Sequence, residues 1–135
     1  MAFADAQTGG FIAWGEPVGY VTLSGTVSTG DILGYSSGWV RALATVGTAI
    51  QGRLIAGADG VSGDKIPVFK LAVVSGRHSG ATAGNPIYVA EGTDNGKVTE
   101  TAPSTTNDCN TIIGRALTAT ELLLFPDVKA DSLAA

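Results

Sequence analysis

The stretch TVSTGDILGYSSGWV, residues 26–40, contains the pattern on which the fold depends. Gly30-Asp31 precedes the short apolar run Ile32-Leu33, and Ser36-Ser37-Gly38 separates that run from Trp39-Val40. Glycine adopts backbone conformations that other residues avoid, and Ser and Asp side chains can hydrogen-bond backbone amides in turns. Two short apolar runs separated by such a turn predict a β-hairpin.

The same order of Gly, then Asp or Asn, then an apolar strand occurs twice more along the chain. Gly63-Asp64 precedes Ile66, and Gly84-Asn85 precedes Ile87. The repetition predicts one turn type used three times, with the Asx side chain bonded to backbone amides. A Ca²⁺ site is the weaker interpretation, because a hard cation needs several closely spaced oxygen ligands and each turn offers a single Asx residue.

Short segments rich in Val, Ile, Leu and Tyr alternate with turn residues along most of the chain. This pattern predicts a compact, single-domain, all-β barrel or sandwich of short strands with Gly-Asp turns. Asn95-Gly96 predicts a further hairpin, Pro67 is expected at a strand start, edge or bulge, and small residues in 42–49 make a short helix plausible there. The predicted strands are 21–24, 32–35, 39–42, 50–56, 66–74, 87–90, 97–99, 112–117 and 122–125, with 66–74 central.

The two ends of the chain lack this pattern. Residues 1–15 contain an apolar set, Phe3, Phe11, Ile12 and Trp14, among Gly, Ala and Thr, and show neither a helical nor a strand period. The sequence therefore predicts an extended N-terminal arm over residues 1–15, a β domain over 16–126 and a frayed or extended C-terminal tail over 127–135.

Composition argues against several classes of partner. The formal net charge is −4 and the eight basic residues are scattered, whereas a nucleic-acid-binding protein needs a basic patch that displaces counterions from phosphates. No segment has the length and apolarity of a membrane span, and no basic, apolar leader is visible. The expectations are no nucleic-acid partner, no membrane partner and synthesis in the cytoplasm, where a single cysteine without a disulfide is ordinary.

Residues able to do chemistry are few. His78 is the only histidine and Cys109 the only cysteine, so a single chain cannot form a multi-His or multi-Cys metal site. His78 lies in a small polar turn and is predicted to be solvated, Cys109 has no basic neighbour to activate it, and no carboxylate lies within an apolar strand. The sequence predicts a protein that is not an enzyme and has no cofactor, metal or small-molecule substrate.

Three segments in this order, residues 26–40, 80–89 and 113–124, resemble the capsid decoration (cement) proteins of tailed bacteriophages. The resemblance extends over about residues 18–126, and the third turn departs from the pattern only in having Asn85 in place of Asp. It implies a compact β fold that binds the outside of an assembled icosahedral capsid, typically as a homotrimer at three-fold positions. It also implies a virion structural protein that is made in the bacterial host and stabilises the capsid by bridging major capsid proteins, without catalysis.

The resemblance further implies that the N-terminal arm reaches the capsid, with Phe3, Phe11, Ile12 and Trp14 as candidate contacts. Packing of the arm on its own domain is the alternative, and the sequence does not choose between them. A second functional class is a β-sandwich module that binds carbohydrate or a cell surface from the virion, through a groove lined by Trp39, Tyr35 or Tyr88. A small hydrolase using His78 ranks last.

Overall fold

The computed structural model describes residues 11–76, 78–92 and 95–135 and confirms the all-β fold. Within these residues the chain forms strands and turns and no helix. The strands are β1 (Phe11–Thr22), β2 (Ile32–Tyr35), β3 (Trp39–Arg41), β4 (Leu54–Ala56), β5 (Lys65–Ser75), β6 (Pro86–Val89), β7 (Val98–Thr99), β8 (Gly114–Ala116) and β9 (Glu121–Leu124).

All the strand pairs are antiparallel, and β5 organises the sheet. One edge of β5 pairs along its length with β1. The other edge pairs first with β4, at Val68 and Phe69, and then with β9, from Ala72 to Ser75. The prediction that the apolar run 66–74 is central is therefore confirmed. Pro67, the third residue of β5, lies near the strand start, as its missing amide requires.

The sheet curls into a half-barrel in the order β3-β2-β4-β5-β9-β8-β6-β7. Gly96 lies beside the turn at Gly30-Asp31. It connects the β2–β3 end of this strand order to the β7 end. Its carbonyl accepts from the amide of Ile32 at 2.9 Å, and its amide donates to Ala42 at 2.7 Å. The predicted hairpin around Asn95-Gly96 is confirmed by the pairing of β6 with β7, and Gly96 has a φ of +77°.

The three predicted Gly-Asx turns have one geometry. Gly30, Gly63 and Gly84 have φ values of 87°, 93° and 87°, which place glycine at the third position of a type II turn. In each turn the residue after glycine donates to the residue three positions earlier, at 3.0 Å. The side chains of Asp31 and Asp64, the last residues of their turns, accept from the amides of the first turn residues, Ser28 and Val61.

The core has two parts because successive strand residues point to opposite faces of the sheet. On β2, Ile32 enters the main core cluster and Leu33 enters a smaller one. On β4, Ile55 and Ala56 divide in the same way. The main cluster includes Val74, Ile87, Val98, Ile113, Leu122 and Leu124, which are nearly fully buried.

The expected helix over residues 42–49 is corrected, and the two chain ends differ in part from expectation. Residues 42–49 form no helix, because Leu43 and Ile50 pair through two backbone hydrogen bonds. The predicted boundary between arm and domain, at residues 15 and 16, falls inside β1, and residues 1–10 lie outside the described residues. The C-terminal segment is exposed along most of its length but is held on the domain: Leu133 bridges to Cys109, and Arg53 pairs with Asp127 and Asp131.

Candidate interaction surface

β1 is an edge strand of the sheet and the longest one. Its residues pair with β5 from Phe11 opposite Ser75 to Thr22 opposite Lys65, and no other described strand pairs with it. The ring of Phe69 lies close against the backbone of β1 at Gly15. A Cβ built on Gly15 would lie 2.8 Å from the Cε2 atom of Phe69. A long strand with one unpaired edge is a recognised site for association with another chain.

The solvent-facing side of β1 is apolar. Tyr20 is 68% exposed, Phe11 and Val18 are each 57% exposed, and Trp14 is 56% exposed. We call these four side chains the β1 patch. Large apolar side chains scattered singly over a surface are ordinary, but several along one strand indicate a contact surface.

The sequence-predicted contact residues divide into three groups. Phe3 lies outside the described residues. Phe11 and Trp14 belong to the β1 patch, whereas Ile12 is half-buried and packs against the main core cluster. Val18 and Tyr20 were not predicted as contacts, although their alternation with the inward-facing Val21 and the small Gly19 is a strand signal that could have identified them.

The backbone of β1 is poorly suited to continuous strand pairing with a partner. Pro17 has no amide to donate, and register irregularities lie between Ile12 and Trp14, between Glu16 and Pro17, and between Pro17 and Gly19. Proline and bulges are the usual protection of an exposed edge against unwanted sheet extension. The side chains of the β1 patch are therefore the stronger recognition feature of this strand.

Charge at the β1 patch is low. Glu16 is the one ionisable group between Phe11 and Thr22 apart from the phenol of Tyr20, and its carboxylate pairs with Lys70 Nζ at 3.2 Å. Both side chains are about half exposed, so the pair contributes little to stability. Beside it lies an open groove of about 310 Å³, lined by Glu16, Lys70, Leu71, Asp127 and Val128. The surface is thus apolar with a small polar border, the arrangement found at protein interfaces.

A second aromatic surface lies at the β2–β3 hairpin. Tyr35 and Trp39 are paired residues of this hairpin, and their rings meet edge to face with centroids 5.4 Å apart. Tyr35 is 65% exposed, whereas Trp39 is half-buried against the smaller core cluster. Tyr88, the third aromatic predicted for a carbohydrate groove, lies on β6, which pairs with β7 and β8 rather than with this hairpin.

The prediction that His78 is solvated was wrong. The side chain is 3% exposed, because the loop after β5 folds back over the β8–β9 connection. Gly76 and Ala81 donate backbone hydrogen bonds to Thr120 and Ala119 at 3.3 and 3.2 Å. His78 lines neither the groove beside Glu16 and Lys70 nor a second groove beside Thr111 and Lys129.

Cys109 is also buried, at 3% exposed. Burial raises the pKa of its thiol, and the carboxylates of Asp131 and Asp108 act in the same direction against the opposing effect of Arg53. Since the thiolate is the nucleophilic form, these surroundings make Cys109 unreactive. The apolar packing of Cys109 in the main core cluster accounts for its presence.

One pair of carboxyl groups was not predicted from the sequence. Asp108 is fully buried, and a hydrogen bond to Asp108 raises the pKa of Glu91, with partial burial and the charge of Asp108 acting in the same direction. The same interaction lowers the pKa of Asp108, helped by the amide of Val46. Groups that meet in this way are often functional, but neither of the two grooves described above is lined by them.

Comparisons with family models, with curated proteins and with solved structures return no match to this chain. Among the residues that the structure describes, no group of three or more His, Cys, Asp and Glu side chains is placed to hold a metal ion. Over the same residues, no helix has the length and apolarity needed to cross a membrane.

Proposed function

We propose that this protein is a virion structural protein that binds the outer surface of an icosahedral phage capsid and stabilises it by bridging major capsid proteins. The observation that carries the proposal is the β1 patch, an apolar surface of large side chains on an edge strand of a compact β fold. The resemblance to decoration proteins in residues 26–40, 80–89 and 113–124 supports the identity of the partner. The proposal includes no catalytic step, cofactor or small-molecule substrate.

The size of the β1 patch supports binding by many copies. Aromatic side chains bury roughly 150–250 Å² each when fully covered, so the four partly exposed side chains can supply roughly 400 Å². A specific interface of standard size buries about 800 Å² per partner. The patch of one copy is therefore half of such an interface, and a homotrimer with three copies of it would gain affinity through multivalency.

Replacing Trp14 with Ala is expected to weaken capsid binding about tenfold or more, as truncation of a buried aromatic anchor does. The measurement mixes wild-type and variant protein with expanded, undecorated shells of tailed phages and records bound protein against concentration. Bound wild-type protein should also raise the temperature at which the shells break. Sedimentation of the free protein tests whether it is a trimer.

Val61→Ser is the matched control for this experiment. Val61 is also largely exposed, at 54%, but it lies in the turn before β5 and not on β1. This variant should bind shells as the wild type does. The proposal is wrong if wild-type protein shows saturable binding to none of the shells. The role assigned to the β1 patch is wrong if Trp14→Ala and Val61→Ser bind the shells equally well.

A carbohydrate- or cell-surface-binding module displayed on a virion is the second candidate function. The Tyr35–Trp39 pair favours it, because an exposed aromatic face is the usual platform for a sugar ring. Tyr35→Ala is then expected to abolish binding to a glycan array, whereas Tyr20→Ala, which removes an equally exposed ring from β1, should leave it intact. If wild-type protein binds no glycan, this second function is wrong.

A further inference from the structure

The open groove beside β1 lies between the sheet and the C-terminal segment. One side is contributed by Glu16 and Leu71, which are paired residues of β1 and β5, together with Lys70. Asp127 and Val128 contribute the other side. The turn after β9 positions these two residues, because the amide of Val128 donates to the carbonyl three residues earlier at 3.1 Å. The groove is therefore a feature of the hydrogen-bonded backbone and not of loosely placed side chains.

The lining of the groove combines apolar and charged groups. Val128 is 71% exposed, the largest exposed fraction among the large apolar side chains that the structure describes, and Leu71 is half-buried. An occupant that covered them would gain from the removal of apolar surface from water. Lys70 and Glu16 form the neutral pair at 3.2 Å. The groove thus suits an occupant that has an apolar stem and a charged end.

The remaining charges at the groove do not cancel. Nη1 and Nη2 of Arg53 each lie 2.7 Å from a carboxylate oxygen of Asp131, and the same Nη1 lies 3.0 Å from Oδ1 of Asp127. One guanidinium therefore serves two carboxylates. Lys129, the next basic residue along the chain, lines the second groove instead of this one. An excess of negative charge is left at the Asp127 side, so the charge that complements the groove is positive.

We propose that an arginine side chain of the major capsid protein occupies this groove, next to the β1 patch. The inference rests on the proposed function and adds the chemistry of the partner. The methylene stem packs on Leu71 and Val128, and the guanidinium pairs with the carboxylates of Asp127 and Glu16. Arginine fits better than lysine because its planar fork matches carboxylates, and because interfaces are enriched in arginine and depleted in lysine.

N-acetyl-arginine amide is the probe that tests the groove without a capsid. It should shift the backbone amide NMR signals of Leu71 and Val128 with saturation in the millimolar range. N-acetyl-citrulline amide has nearly the same shape without the charge and should bind about threefold or more weakly. The inference is wrong if the two compounds bind equally well, or if the arginine compound leaves both signals unchanged.

Lys70→Gln is expected to bind the arginine probe about two- to fivefold more tightly, because Glu16 loses the cation that competes with the probe. Lys65→Gln is the matched control. It makes the same change on the same strand, but Lys65 pairs with Thr22 at the far end of β5. Lys70 as a merely structural residue would give no such gain. Equal binding by the two variants would therefore contradict the role assigned to the groove.

Asp127→Asn is expected to weaken binding to the probe and to undecorated shells, in each case about two- to fivefold. Asp64→Asn makes the same change at an exposed position in the turn before β5 and should bind both as the wild type does. If Asp127→Asn weakens binding to the probe alone, the capsid does not supply the arginine. If it changes the sedimentation of the free protein, a second copy of the chain occupies the groove, and the inference is again wrong.

The two binding measurements separate this inference from the proposed function. Wild-type protein that binds shells but not the probe would leave the proposed function standing and overturn the arginine site. Wild-type protein that binds the probe but no shell would overturn the proposed function, and with it the capsid as the source of the arginine. Binding to both, with the expected order of the variants, supports the site.

Discussion

Replacing Asp31 with Ala is expected to lower the free energy of unfolding by about 2 to 4 kcal/mol. Asp31 is fully buried, and its Oδ2 atom accepts hydrogen bonds from the amide of Ser28 at 2.8 Å and from Nε of Arg41 at 2.6 Å. Alanine leaves both donors without this acceptor. The Arg41 side chain is 32% exposed and can regain some water, which keeps the expected loss below that of a fully buried ion pair.

Because of the position of Asp31, we expect this loss of stability to extend beyond the turn to the rest of the sheet. The chain at Gly96, which links the two ends of the sheet, packs directly over the Asp31–Arg41 pair. A Cβ on Gly96 would lie 2.7 Å from Cγ of Arg41 and 3.0 Å from Cγ of Asp31. We therefore expect amide exchange to increase at Ile32 and Gly96, whose backbone bonds close the sheet, and not only in the turn itself.

Asp64→Ala is the matched control for Asp31→Ala. Asp64 occupies the same position of the same turn type and accepts from the amide of Val61 at 2.9 Å, but it is exposed. Its loss should cost less than about 1 kcal/mol, as for other surface substitutions. Urea unfolding of both variants gives the comparison. Equal losses would show that the turn bond alone, and not the buried ion pair, determines the effect.

Local patterns in the sequence predicted the turns and most of the strands, because each depends on a few adjacent residues. Gly30-Asp31 and Gly63-Asp64 specify their turns through glycine conformation and a side-chain bond to a nearby amide. The packing of Gly96 against Arg41 was not predictable in this way. This contact joins residues that are distant in sequence, and no local pattern predicts which turn will pack against the Asp31–Arg41 pair.

β1 shows how local irregularity hides a strand. Its inward-facing residues include Ile12 and Val21, but the bulges around Trp14 and Pro17 shift the alternation between them. A strand period of two is therefore interrupted, and the sequence predicted no strand over residues 11–15. The burial of His78 was missed for a related reason, since it depends on a long-range contact of its loop with residues 119 and 120.

The candidate surface was predicted in part. Aromatic residues near the N-terminus identified Phe11 and Trp14 by residue type, but the choice of which side chains face solvent requires the pairing of β1 with β5. Ile12 and Trp14 are two residues apart and would share a face in a regular strand, yet the bulge between them turns Ile12 inward. The Glu91–Asp108 pair lay beyond sequence reasoning because it joins two loops with no common pattern.

Replacing Gly34 with Ala is expected to cost about 2 to 3 kcal/mol of stability, a typical loss for adding a methyl group where no space exists. Gly34 is buried on β2, and a Cβ there would collide with the carbonyl oxygen of Gln51 and with Cγ2 of Ile50. The Ile50 side chain can rotate away. The backbone oxygen cannot, because the adjoining chain is fixed by the bond from the amide of Arg53 to the Leu33 carbonyl, 2.7 Å long.

Gly25→Ala separates this steric effect from the general effect of replacing glycine. A Cβ on Gly25 would meet Cγ1 of Val40 at 3.7 Å, an ordinary contact, and alanine restricts the unfolded chain more than glycine does. That variant should match or slightly exceed the wild type in stability. If Gly34→Ala and Gly25→Ala unfold at the same urea concentration, the close approach of residues 50 and 51 to β2 is not a constraint on the fold. If only Gly34→Ala loses stability, glycine is required at position 34 by the packing of residues 50 and 51 against β2 and not by backbone conformation.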